Sequence, residues 1–111
     1  MTTITVFYRG NRIAGFNAKG HSGYADAGED IVCAAVSALT QTAYLGLEKY
    51  LESPTEVYQK DGELRVNLPE GLSSEEEDRA ELILGTMLLG LRSVEENYSD
   101  YLKIVKKEVK A

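Results

Sequence analysis

The 111 residues, 43% hydrophobic and 27% charged, suit one domain spanning 1–111, with a modest core that a second copy of the chain would help to cover. The net charge of −6 argues against a nucleic-acid surface, which needs clustered Lys and Arg, and suits a basic protein partner. A single cysteine excludes an intrachain disulfide and fits a reducing compartment, no secretory h-region opens the chain, and no apolar run approaches the roughly 18 residues of a membrane span, so a cytoplasmic protein is expected.

The chain opens on alternation. Ile4, Val6 and Tyr8 fall on one face, Thr3, Thr5 and Phe7 on the other, and Gly10-Asn11 is a hairpin signal. Arg12 to Lys19 alternates again, Ile13, Gly15 and Asn17 opposite Ala14, Phe16 and Ala18. Residues 20–29 then break the pattern with glycines at 20, 23 and 28, which predicts a mobile loop.

Asp30 to Leu51 is predicted as a long helix, with Asp30 as its N-cap and Val32, Val36, Leu39, Ala43, Leu47 and Tyr50 as its buried stripe. Ser53-Pro54 ends it. A second hairpin is expected from Thr55–Lys60 and Glu63–Leu68 around Asp61-Gly62, read as a type I′ turn. Ser73 or Ser74 caps a second helix running to about Asn97, and the acidic run at 75–78 reads as its solvated start. Tyr101 to Val109 alternates as a last strand. The order ββαββαβ predicts an α+β, two-layer sandwich: two helices on one face of a mostly antiparallel sheet.

The chain has one histidine and one cysteine, His21 and Cys33, at the two ends of the glycine loop. A thiolate is the nucleophilic form of cysteine. With Asp30 as N-cap, Cys33 would occupy the first helical turn, where free backbone N–H groups favour an anion and an oxyanion. A neighbouring imidazole would act as base. Cys33 aligns on the helix with Ser37, Thr40 and Tyr44 at the edge of the stripe, as a cleft wall would. Taken singly, a lone helical cysteine more often fills a core and a lone loop histidine sits on the surface. A metal site would have to recruit Asp26, Glu29 or Asp30 and lacks paired Cys or His spacing; no metal or cofactor is expected. Ser22 has no nucleophile elbow around it. A Cys–His pair alone implies thiol chemistry on a carbonyl, which a protease, a thioesterase or a transferase could use.

The segment Gly20-His21-Ser22-Gly23-Tyr24-Ala25-Asp26, followed by Gly28-Glu29-Asp30-Ile31-Val32-Cys33-Ala34-Ala35-Val36-Ser37, resembles the signature of the ribosomal-processing cysteine protease (Prp) family, and the resemblance extends over essentially the whole chain. It implies that His21 and Cys33 are catalytic, with Asp30 and Ser37 in support and Gly20, Ser22, Gly23, Tyr24 and Gly28 in a substrate-binding loop. It further implies removal of a short apolar N-terminal extension, ending in two Phe and a small residue, from a large-subunit ribosomal protein (L twenty-seven), a step needed for ribosome assembly. A homodimer is implied as well. The other reading is a ribosome-associated binding module in which Cys33 and His21 are structural.

Overall fold

The computed structural model describes residues 1–20 and 27–109. Its elements run β1 (Thr2–Arg9), β2 (Arg12–Lys19), α1 (Ala27–Tyr50), β3 (Glu56–Lys60), β4 (Glu63–Asn67), α2 (Ser74–Asn97) and β5 (Leu102–Glu108), the expected ββαββαβ order. The strands form one sheet in the order β3-β4-β2-β1-β5. Every pairing is antiparallel except β1 with β5. The fold is therefore the two-layer α+β sandwich that the alternation and helical spacing predict.

One face of the sheet carries Ile4 and Val6 of β1, Phe16 and Ala18 of β2, Leu64 and Val66 of β4 and Leu102 of β5. They pack with Val32, Val36, Ala43 and Leu47 of α1 and Ala80, Leu84, Met87 and Leu91 of α2. Burying a side chain such as Phe16 or Leu84 contributes roughly 1.5–3 kcal/mol. Ile13 and Phe16 both face this core, which strict alternation from residue 12 forbids. The pairing changes from Tyr8 with Ile13 to Phe7 with Gly15, so Ala14 is an extra residue on β2. Such a bulge turns the rest of a strand over.

Several sequence expectations need correction. The helix α1 begins at Ala27, three residues before Asp30. Tyr50 is 59% exposed and Leu51 is buried in its place, because the helix ends at Tyr50 and the next residue turns inward. Asp61-Gly62 does make a two-residue turn, but only Gly62 has positive φ, at 78°, so it is not the type I′ turn, which needs positive φ at both positions. Finally, α1 is, by length and composition, apolar enough to cross a membrane, where no apolar run approaching roughly 18 residues was expected. Here it lies on the sheet as a core helix.

The acidic run at the start of α2 is more than a solvated turn. Ser73 is the N-cap, and its side chain and Glu76 form a capping box. Glu76 is buried. Its carboxylate accepts from the amides of Glu52 and Ser53 at 3.0 Å each and from the Ser73 amide at 3.4 Å. It thus ties the end of α1 to the start of α2. The Ser53 amide first, then the Ser73 and Glu52 amides, hold this carboxyl below its ordinary range against the opposing effect of burial. A lowered carboxyl stabilises the fold above its unfolded value and loses that contribution as pH falls through the folded one. Glu76→Gln should therefore melt lower than the parent at neutral pH. The gap should close as pH falls below the ordinary glutamate range. Thermal melts of both proteins from pH 7 to pH 3 check this, and a pH-independent gap would show that the charge contributes nothing.

Candidate active site

Cys33 is the seventh residue of α1, not part of its first turn. Its amide therefore belongs to the i→i−4 ladder and is not one of the free donors of a helix start. The oxyanion role expected of that amide does not survive. Asp30 is exposed within the first turn, beside Glu29, and is not the N-cap; both carboxylates complement the positive end of the helix.

What places Cys33 is the helix face. It is half-buried, one residue after the fully buried Val32 and three before Val36, so its sulfur emerges at the border between core and surface. That border opens on a cleft of about 200 Å³, walled by Cys33, Ser37 and Gln41 of α1 and by Gln59, Lys60 and Gly62 of the β3–β4 hairpin. Ser37, one helical turn beyond Cys33, shares this cleft as expected, and Thr40 lines it too while its hydroxyl donates to the Val36 carbonyl at 2.8 Å. A larger cleft of about 300 Å³ lies at the other end of β2, around Arg9, Arg12 and Glu81. No cysteine, serine or histidine is among its described lining residues.

Gly20 closes the end of β2. Its amide donates to the Gly62 carbonyl at 2.7 Å, pinning the start of the glycine segment to the β3–β4 turn. A Cβ on Gly20 would lie 3.8 Å from Cys33 Sγ and 3.7 Å from Thr2 Oγ1. Gly20, expected in the substrate loop, thus lies beside Cys33. Gly28 is not in a loop at all. It lies in the first turn of α1, where a Cβ would meet the Tyr101 ring at 2.8 Å. It is a close-approach glycine, and replacing it would displace the ring or the helix start. His21, Ser22, Gly23, Tyr24 and Asp26 lie outside the described residues.

The residue that sequence reasoning missed is Thr2. It is 2% exposed, and its hydroxyl is 3.4 Å from Cys33 Sγ. The signal for it was available only through the bulge. With Ala14 as the extra residue, Thr3 pairs with Lys19, and Thr2 falls opposite Gly20. Among the described residues no group of three or more His, Cys, Asp or Glu could hold a metal ion.

A family model described as cysteine protease Prp matches residues 1–103. The ribosomal processing cysteine protease Prp of Bacillus subtilis (strain 168) is 30% identical over 98 residues, covering 83% of this chain and 84% of that one. A crystal structure from Streptococcus mutans superposes with a TM-score of 0.84 at 23% identity, covering 98% of this chain and 96% of that one. The Staphylococcus aureus Prp, an essential ribosomal processing protease crystallised with a substrate peptide, superposes with a TM-score of 0.82 at 23% identity over 96% of this chain and all of that one.

Proposed function

The chain belongs to the Prp family of ribosomal-processing cysteine proteases, and on that premise we propose that it is a cytoplasmic endopeptidase with Cys33 as nucleophile and His21 as general base. Its substrate is a large-subunit ribosomal protein (L twenty-seven) carrying a short N-terminal extension. The observation that supports this reading best is the seating of the only cysteine at a cleft mouth next to Gly20, the residue that precedes His21. A core thiol would face the sheet instead.

In the proposed reaction His21 takes the thiol proton and the Cys33 thiolate attacks the scissile carbonyl. A carbon–sulfur bond forms, the carbon–nitrogen bond breaks, and the imidazolium returns the proton to the departing amine. Water then cleaves the thioester and leaves the extension as a free carboxylate. No metal or redox partner enters this balance. The acidic chain suits a basic ribosomal substrate, through attraction at a distance more than through specificity.

The test is incubation of the chain with the extended ribosomal protein, read by intact-mass spectrometry. A single product shortened at its N-terminus supports the reading. Stable co-elution with no change in mass would favour the non-catalytic binding module.

Pairing with a second copy is the further part of this proposal. Leu45 of α1 and Leu82 and Leu89 of α2 are 63%, 72% and 72% exposed. Each stands next to a residue of the close contact between α1 and α2, Gly46 with Ile83 and Gly90 with Leu39. An outer helix surface this apolar is the kind that a symmetric dimer covers. The parent should sediment as a dimer and Leu82→Glu/Leu89→Glu as a monomer that keeps its helical circular dichroism. A double variant that still sediments as a dimer would place the interface elsewhere.

A further inference from the structure

We infer that Thr2 is a positioning residue for the nucleophile: its hydroxyl fixes Cys33 Sγ at the cleft mouth and donates to the thiolate once the proton has left. The inference rests on the cysteine-protease reading above.

Three observations carry it. The Thr2 hydroxyl and Cys33 Sγ are 3.4 Å apart across two different elements, the first strand and α1. Between a hydroxyl and a thiol either atom can donate. Between a hydroxyl and a thiolate only the hydroxyl can, so ionisation of Cys33 fixes the direction of the bond. Such charge-assisted bonds are about twice as strong as neutral ones.

Second, the donor is held in advance. The Thr2 amide donates to the Tyr101 carbonyl at 2.8 Å, and Thr2 pairs with Leu102 at the start of the parallel ladder. Thr2 lines the cleft yet is only 2% exposed, so little water competes for the hydroxyl. A donor that need not reorganise when charge appears is worth more than a mobile one. Third, the side chain on the third corner is glycine. The site where Gly20 would carry a Cβ lies 3.7 Å from Thr2 Oγ1 and 3.8 Å from Cys33 Sγ, so Gly20 itself puts no side chain over the sulfur.

The experiment is the pH profile of Cys33 alkylation by iodoacetamide, followed by intact mass, in the parent, Thr2→Val, Thr2→Ala and Thr2→Ser. Val keeps the shape and loses the hydroxyl; Ser keeps the hydroxyl. In Thr2→Val the midpoint of the profile should move up by about one pH unit, so that alkylation well below it slows about tenfold. Thr2→Ser should restore most of the parental profile. Thr2→Ala, which removes the hydroxyl without adding a methyl, should shift as Val does and serves if Val disturbs folding. A folded variant without the hydroxyl whose profile matches the parent's overturns the inference, even while Cys33→Ser remains inactive. A Cys33→Ser protein that still processes substrate overturns the protease reading itself, and this inference with it.

Discussion

Cys33→Ser protein should fold as the parent does and process none of the extended ribosomal protein. Serine is nearly the size of cysteine, and its hydroxyl can keep the contact that the sulfur makes with Thr2 at 3.4 Å. The half-buried position also makes a severe packing penalty unnecessary. What the substitution removes is acidity. A serine hydroxyl beside a single imidazole is far less acidic than a thiol and so a far weaker nucleophile. A packing role predicts tolerance of serine, and a nucleophilic role predicts total loss. A time course by mass spectrometry, with far-ultraviolet circular dichroism as the control for folding, separates the two. Processing at the parental rate in Cys33→Ser protein would end the cysteine-protease reading.

His21→Ala should retain the fold and lose activity by about 10²–10⁴-fold, the usual contribution of a positioned general base. Its effect is expected to be smaller than that of Cys33→Ser because the nucleophile is still present and hydroxide in solution can do part of the work. The pH dependence carries the sign. With the imidazole gone, no side-chain base takes the thiol proton, so the residual processing of the variant should keep rising with pH as hydroxide takes over that part. The parent should instead level off once the base is in its working form. A variant and a parent with the same pH dependence of processing would mean that His21 does not act on Cys33.

Much of this fold is legible in local sequence because local rules decide it. The first hairpin follows from alternation and the second from its Asp61-Gly62 turn, while Ser73 and Ser74, each with a glutamate three residues later, announce the start of α2 without choosing between them. The candidate residues were legible by a different route, since the glycine segment and the motif around Cys33 match a family pattern. Neither route reaches features fixed by contacts between distant residues. The start of α1 at Ala27 depends on Gly28 lying against the Tyr101 ring, a partner more than seventy positions away in the sequence. Without that partner, a glycine in an Ala-Gly-Glu stretch reads as loop. The burial of Glu76 depends on the amides of Glu52 and Ser53 arriving from the end of α1. The role of Thr2 depends on a single extra residue in β2, because the simple hairpin register puts Lys19, not Gly20, across from it. The wheel drawn from Asp30 put Cys33 on the right face, since helical phase is unaffected by where a helix begins. It put it in the wrong turn, since distance from the end is not.

The parallel pairing of β1 with β5 has a consequence for when the thiol acquires its surroundings. Thr2 is seated by the Tyr101 carbonyl and by Leu102, near the other end of the sequence, while Cys33 belongs to an early segment. Pairings of such range are late and slow to form, because the intervening chain must be closed into a loop first. During synthesis, the segment bearing Cys33 leaves the ribosome well before β5 does. The neighbour that the finished fold gives to the sulfur is therefore withheld from a partly made chain. The surroundings of Cys33 are thus incomplete in a partly made chain and are finished only when β5 pairs with β1.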